Sequence, residues 1–111
     1  NMVLNKQGGP NWFKNWCVAP VIVDENADEI YFTPLYYVMS HFSRFIRPEA
    51  KVFKVNYSDK DLMISAAVNI DGSITVVVFN EKENLKKINL TLNNKSVTID
   101  VKGQSLQTIV I

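Results

Sequence analysis

The segment QGGPNWFKNW, residues 7–16, gathers Trp12, Phe13 and Trp16 with the amides Asn11 and Asn15, behind Gly8, Gly9 and Pro10. The glycines and proline act as backbone devices that permit a turn and place the aromatics after it. Packing of the loop on itself is the simpler reading of Trp12 and Phe13. Catalytic candidates are fewer. Glu25, Asp28 and Glu29 crowd into VDENADEIY, but the stretch has neither the alternating ligands nor the sharp glycine of an EF-hand, and it reads as a solvated loop. Glu81 follows Asn80 at the end of an apolar run, where a solvated turn residue is expected. Cys17, the single cysteine, sits beside Val18 and Ala19, and His41 is the single histidine. They read as a small buried hydrophobe and a structural helix residue, and they exclude an internal disulfide or a Cys/His zinc site made by this chain alone. No catalytic residue, metal ligand or cofactor site is expected within these residues.

The elements that must position the aromatic loop come from two different periods. At 111 residues, with 47% hydrophobic and 21% charged residues and a net charge of +1, the composition is that of one ordinary globular domain at most. The 12 basic residues are scattered, so no nucleic-acid stripe forms. No apolar run approaches the ~20 residues of a membrane-spanning helix. TPLYYVMSHFSRFIR, residues 33–47, predicts a helix with Thr33 as N-cap, Pro34 at the first helical position and Pro48 as the stop. Leu35, Val38, Met39, Phe42, Phe45 and Ile46 form one apolar stripe on it, a core-packing face. After Pro48 the period becomes two. Strands are predicted over 51–57, 62–69, 74–80, 86–92, 96–101 and 105–111, separated by turn residues such as Asp71-Gly72 and Asn93-Asn94. Six such strands at regular spacing predict an antiparallel β-sandwich, with 74–79 central because both its faces are apolar. The first half, one short strand and one helix, cannot bury itself, and further chain upstream of Asn1 is expected to cover it.

The residues themselves carry a more specific signal. The run QGGPNW, the segment Ala19-Pro20-Val21-Ile22-Val23-Asp24 and the helix end HFSRFIRP resemble the C-terminal part of glycoside hydrolase family 30, the glucosylceramidase-like retaining glycosidases. The resemblance covers nearly the whole chain, by motif over the first 48 residues and by strand pattern beyond. It implies a fold that is mainly β with one helix: an antiparallel β-sandwich, residues 49–111, preceded by the last strand-loop-helix unit of a (β/α)8 barrel, residues 1–48. Residues 1–5 would be the last barrel strand, 7–32 its long C-terminal loop and 33–47 the last barrel helix. Such loops line the active sites of barrels. Asn15, Trp16 and Trp12 are then the candidate substrate-binding residues. The apolar faces of the indoles suit the axial C–H patch of a sugar ring, and the Asn15 amide supplies a directional bond to a hydroxyl.

The family's two catalytic glutamates lie on earlier strands, one of them in an Asn-Glu-Pro setting that this chain lacks. The resemblance therefore implies the C-terminal part of a retaining β-glycoside hydrolase of glucosylceramidase or β-1,6-glucanase type, acting on a β-linked glycoside by double displacement. The chain alone is expected to be inactive. Its partners would be the substrate of the parent enzyme and the rest of the barrel, and the sandwich recruits strand material from the parent's N-terminal side. Alone, the chain is expected to self-associate or to be partly disordered over roughly residues 1–48. A secreted, periplasmic or cell-surface location is implied by family. Asn56, Asn89 and Asn94 head glycosylation triplets, which matter only in a eukaryotic secretory pathway. The alternative is a freestanding β-sandwich that binds carbohydrate or protein through the 7–16 loop without catalysis.

Overall fold

The alternation of apolar and polar residues after Pro48 becomes a set of antiparallel strands in the computed structural model, which describes residues 1–10, 13 and 17–111. The chain divides into two units, residues 1–42 and 43–111. In the second unit, β4 (Lys51–Phe53), β5 (Leu62–Val68), β6 (Ile74–Asn80) and β9 (Ser105–Val110) form one sheet in the order β4-β5-β6-β9. The other layer among the described residues is the hairpin β7 (Lys86–Leu92) with β8 (Lys95–Val101). Every pairing is antiparallel. Asn93 and Asn94 close the β7–β8 hairpin with φ of 49° and 61°. The two-residue turn that twists with its strands demands this left-handed pair, and asparagine tolerates it.

β6 is central, paired with β5 on one side and β9 on the other. Thr75, Val76, Val77 and Val78 are all buried, so both of its faces are covered. Leu62, Ala66, Val76, Val78 and Val101 make the buried cluster, and Ile64, Ile88, Leu90 and Ile109 pack around it. On β7 the alternation is complete, with Ile88, Leu90 and Leu92 turned inward and Lys87, Asn89 and Thr91 exposed. The outward residues pair across the hairpin: Lys87 with Asp100 at 2.7 Å, Thr98 donating to Asn89 at 2.7 Å, and the Thr91 and Ser96 hydroxyls at 2.7 Å. Lys86 leaves the hairpin to bridge Asp59 and Asp61, each at 3.0 Å.

The first unit holds more regular structure than the sequence suggests. β1 (Val3–Asn5) pairs in parallel with β2 (Val21–Asp24), and β2 pairs antiparallel with β3 (Glu29–Phe32). The last two strands lie inside 7–32, which the resemblance reads as continuous loop. The reason is Asp24, a buried carboxylate that ends β2. It accepts the amides of Asn26 at 3.1 Å and Ala27 at 3.3 Å, which turns the chain back into β3. Lys6, just past β1, donates to the same carboxylate at 2.8 Å. That bond holds the Asp24 carboxyl below its ordinary value of 3.8 and lifts Lys6 above 10.5.

The helix α1 (Pro34–Ser43) starts where expected and stops four residues early. Arg47 precedes a proline, which disfavours helical backbone there. Arg47 and Ala50 bracket a turn in which the Ala50 amide reaches the Arg47 carbonyl at 3.1 Å and Glu49 takes φ 67°. The expected core face of α1 also differs: no residue of α1 is buried, and Leu35, Val38, Met39 and Phe42 are 38–46% exposed. The amphipathic pattern is real, but it is left uncovered by the described residues of 1–42. β4 ends at Phe53 rather than Tyr57 because 54–57 have no ladder partner among the described residues.

Two outcomes follow from this packing. Val78→Ala, at a fully buried position of β6, is expected to lower unfolding stability by about 2–3 kcal/mol, against less than about 1 kcal/mol for Val97→Ala, opposite Leu90 but 49% exposed toward the hairpin turn, measured by urea denaturation. The Lys6–Asp24 bond sets a pH window for the first unit. Its contribution from Asp24 is complete above 3.8 and is lost as pH falls through the depressed folded value, while that from Lys6 is complete below 10.5 and is lost above it. Asp24→Asn should speed exchange of the Ile22 and Val23 amides at neutral pH and abolish their acid-dependent loss of protection. An unchanged acid limb would remove Asp24 as its cause.

Candidate functional site

The 7–16 loop is tied down at both ends by its own backbone and by short polar side chains. At its start, Asn5 closes the end of β1: its Oδ1 accepts the amides of Gln7 at 3.1 Å and Gly9 at 2.8 Å. The Gly8 amide returns to the Asn5 carbonyl at 3.0 Å, with Gly8 buried at φ 74°, a backbone that a side chain would strain. Gly8 is thus required by the turn, as the sequence implies.

At the far end Ala19 and Pro20 are buried. The Thr33 hydroxyl donates to the carbonyls of Ala19 at 3.0 Å and Pro20 at 3.1 Å, and the Thr33 amide to Pro20 at 2.9 Å. The threonine expected to cap α1 therefore fastens the helix start to the end of the loop. Its carbonyl still accepts the Tyr36 amide at 3.0 Å, opening the helix. Lys6 and Asp24 add a third tie near the loop's start.

Asn15, Trp16 and Trp12, the candidate substrate-binding residues, lie outside the described residues, as do Asn11 and Lys14. Of the loop aromatics Phe13 is described, and it is 70% exposed. Val18 is exposed at 67%, and Cys17 is a half-buried free thiol rather than a fully buried one.

The carboxylates fall where solvated turns put them. Glu25 and Asp28 are exposed in the β2–β3 turn, Asp28 with φ 53°. Glu29 accepts the Tyr31 hydroxyl, which pushes the Tyr31 phenol above its ordinary value. Glu81 pairs with its neighbour Lys82 at 3.0 Å. Among the described residues no three His, Cys, Asp or Glu side chains converge as a metal site would require. The buried acid of this region is Asp24, whose Oδ2 accepts Lys6 and whose Oδ1 accepts two turn amides, a structural use of both oxygens.

A separate concavity of about 560 Å³ opens in the second unit, between the β5–β6 face and β7. Leu62, Ile64, Ile88 and Leu90 form its floor, and the strandless segment 54–58 with Phe53 and Tyr57 forms one wall. The lining of this slot is part apolar and part polar, and it lies along the edge of β7 that has no ladder partner among the described residues.

With the geometry in place, comparison with known proteins is direct. The family model for the glycosyl hydrolase family 30 TIM-barrel domain matches residues 1–46, and that for the family 30 beta sandwich domain matches residues 50–109. Lysosomal acid glucosylceramidase of Mus musculus is 44% identical over 82 residues, covering 72% of this chain and 16% of that protein. Putative glucosylceramidase 4 of Caenorhabditis elegans is 38% identical over 85 residues, covering 75% and 16%. Among solved structures, SrfJ from Salmonella typhimurium superposes with a TM-score of 0.92 at 29% identity, over 100% of this chain and 25% of that one. The endo-beta1,6-glucanase BT3312 follows at 0.84 and 29%, over 97% and 25%. The chain thus spans between a sixth and a quarter of the length of these relatives. One sandwich with its approach strand, helix and fastened loop, matched end to end by two adjoining domain models, places the chain in glycoside hydrolase family 30.

Proposed function

We propose that the chain is the C-terminal part of a retaining β-glycoside hydrolase of the glucosylceramidase or β-1,6-glucanase type, and that the two glutamates of its double displacement lie upstream of this segment. The observation that carries the reading is the match of adjoining family 30 barrel and sandwich domains along one chain, with a glucosylceramidase 44% identical over most of it. Retaining hydrolysis needs two carboxyl groups about 5 Å apart, one protonating the leaving oxygen and one attacking the anomeric carbon. The buried acid of the loop region, Asp24, is committed to Lys6 and a turn, which supports a supply of both groups from elsewhere.

This segment's own contribution is to hold the sugar. Asn15 donates to and accepts from a ring hydroxyl, and Trp16, flanked by Trp12, offers the apolar face. Rigid fastening of the loop at Asn5 and Thr33 supports that role, because a positioning loop must not spend substrate-binding energy on its own ordering. The exposed face of α1 and the slot beside β7 are the surfaces that the rest of the parent chain covers, the first by the barrel and the second by strand material from its N-terminal side. The enzyme acts outside the cytoplasm, as a secreted, periplasmic or cell-surface protein.

The isolated chain should not hydrolyse an aryl β-glucoside, and co-refolding it with the upstream remainder of its parent should restore turnover. Turnover by the chain alone that disappears on Glu81→Gln or Glu29→Gln would overturn the assignment. In the complete enzyme, Trp16→Ala should raise KM roughly tenfold with a smaller loss in kcat, as expected when a binding surface shared by ground and transition states is removed. Kinetic constants within twofold of the parent's would assign Trp16 to loop packing.

A further inference from the structure

The turn between β5 and β6 carries a polar cluster that neither hydrolysis nor sheet formation requires. Asn69, 7% exposed, points its side-chain amide at the chain just leaving α1. Its Oδ1 accepts the Arg47 amide at 2.9 Å and its Nδ2 donates to the Phe45 carbonyl at 3.0 Å. Donor and acceptor thus engage two groups on residues i and i+2, as the N–H and C=O of one residue in a parallel neighbouring strand would, so the side chain supplies one extra rung where the backbone has no strand. Thr75, fully buried on β6, donates to the same Phe45 carbonyl at 3.0 Å, filling its second lone pair. Nδ2 also lies 3.0 Å from the Ser73 hydroxyl, which in turn donates to Asp71 at 2.6 Å. Buried polar groups satisfied in this way form a stiff network, since breaking one arm leaves a desolvated partner behind.

We propose that Asn69 is a positioning residue that makes the helix-exit turn, Phe45–Arg47, part of the sandwich's cooperative unit, so that this turn opens only when the β5–β6 hairpin opens. Two features argue for a dedicated device. Without Asn69 the Phe45–Arg47 segment would keep the Thr75 bond to the Phe45 carbonyl but lose the acceptor of the Arg47 amide, and the chain after it is closed by one i to i+3 bond, from Ala50 to Arg47, with Glu49 in an unfavourable left-handed backbone. Its neighbours Arg44 and Arg47 are also polar and exposed, with no buried apolar side chain among residues 43–50 to anchor it.

Native-state hydrogen exchange on the 111-residue chain at a series of low urea concentrations tests this. In the parent chain the Arg47 amide should share the urea dependence of the Val76 and Val78 amides, because one opening exposes all three. In Asn69→Ala the Arg47 amide should exchange at least about tenfold faster and become independent of urea, while Val76 and Val78 retain their slope. Thr75→Val keeps shape while deleting one donor, and should give a smaller acceleration confined to the same turn; it also serves if Asn69→Ala fails to fold. A urea-independent Arg47 amide in the parent chain, one still coupled to Val76 in Asn69→Ala, or one that exchanges no faster in Thr75→Val than in the parent chain overturns the proposal.

Discussion

Burial of β6 on both faces is the constraint from which the second unit is built. A strand whose Val76 and Val78 enter the intersheet core while Val77 is covered on the opposite side has to have neighbours on both edges and layers on both faces. β5 and β9 satisfy its ladder, and the β7–β8 hairpin supplies apolar residues to one face. The two ends of β6 carry buried amides. Asn69 and Thr75 grip the incoming chain at one end. At the other, Asn80 donates to the carbonyls of Asn84 at 2.9 Å and Lys102 at 3.1 Å and accepts the Lys82 amide at 3.1 Å. Apolar burial provides the drive, and the amides specify which loops meet the strand's ends.

Asn80 also explains how a hairpin of two strands holds its place beside a sheet with which it shares no ladder. Its bonds tie the loop entering β7 and the loop leaving β8 to the same residue. Gly103 lies so close to the Glu83 carbonyl that an added Cβ would sit 1.8 Å from it, so the two loops are in backbone contact there. Lys86, bridging Asp59 and Asp61, adds a tie to the loop before β5, and the Asp61 amide with Lys86 holds the Asp59 carboxyl below its ordinary value. The hairpin is therefore fixed by polar contacts at one end, while its flank along β7 borders the open slot.

How much of this could be read in advance depended on whether the signal was periodic. β5, β6, β7 and β9 are found within one residue of their predicted limits, because Ile88-Leu90-Leu92 or Val76-Val78 is a local pattern imposed by the pleat. The interruption of α1 at Ser43 was not visible. Its apolar stripe runs on through Phe45 and Ile46, and what stops it is a pre-proline residue and an asparagine 22 positions away. β2 and β3 were missed for a related reason. The turn between them is made by one aspartate whose side chain caps it, in a stretch that otherwise reads as acidic loop. In the candidate site, the glycine turn was legible because Gly8 has a stereochemical duty. The roles of Asn5 and Thr33 were not, since an amide or hydroxyl can serve many backbone partners and sequence names none.

The two units differ in kind, and the difference bears on where specificity can reside. The second unit draws its order from a continuous apolar cluster, so its surface residues are free to vary without loss of fold. In the first unit the buried apolar side chains among the described residues are few, Leu4, Ala19 and Pro20, and order rests on Asn5, Asp24 and Thr33. Ile30, Phe32, Tyr37 and Val38 meanwhile remain 46–62% exposed. A unit organised by short-range polar ties with its large apolar groups facing outward is shaped to dock on something else, because apolar surface of that extent is stable in water only when another surface covers it. The same polar ties fix the chain on either side of the 7–16 segment, at Asn5 before it and at Ala19 and Pro20 after it.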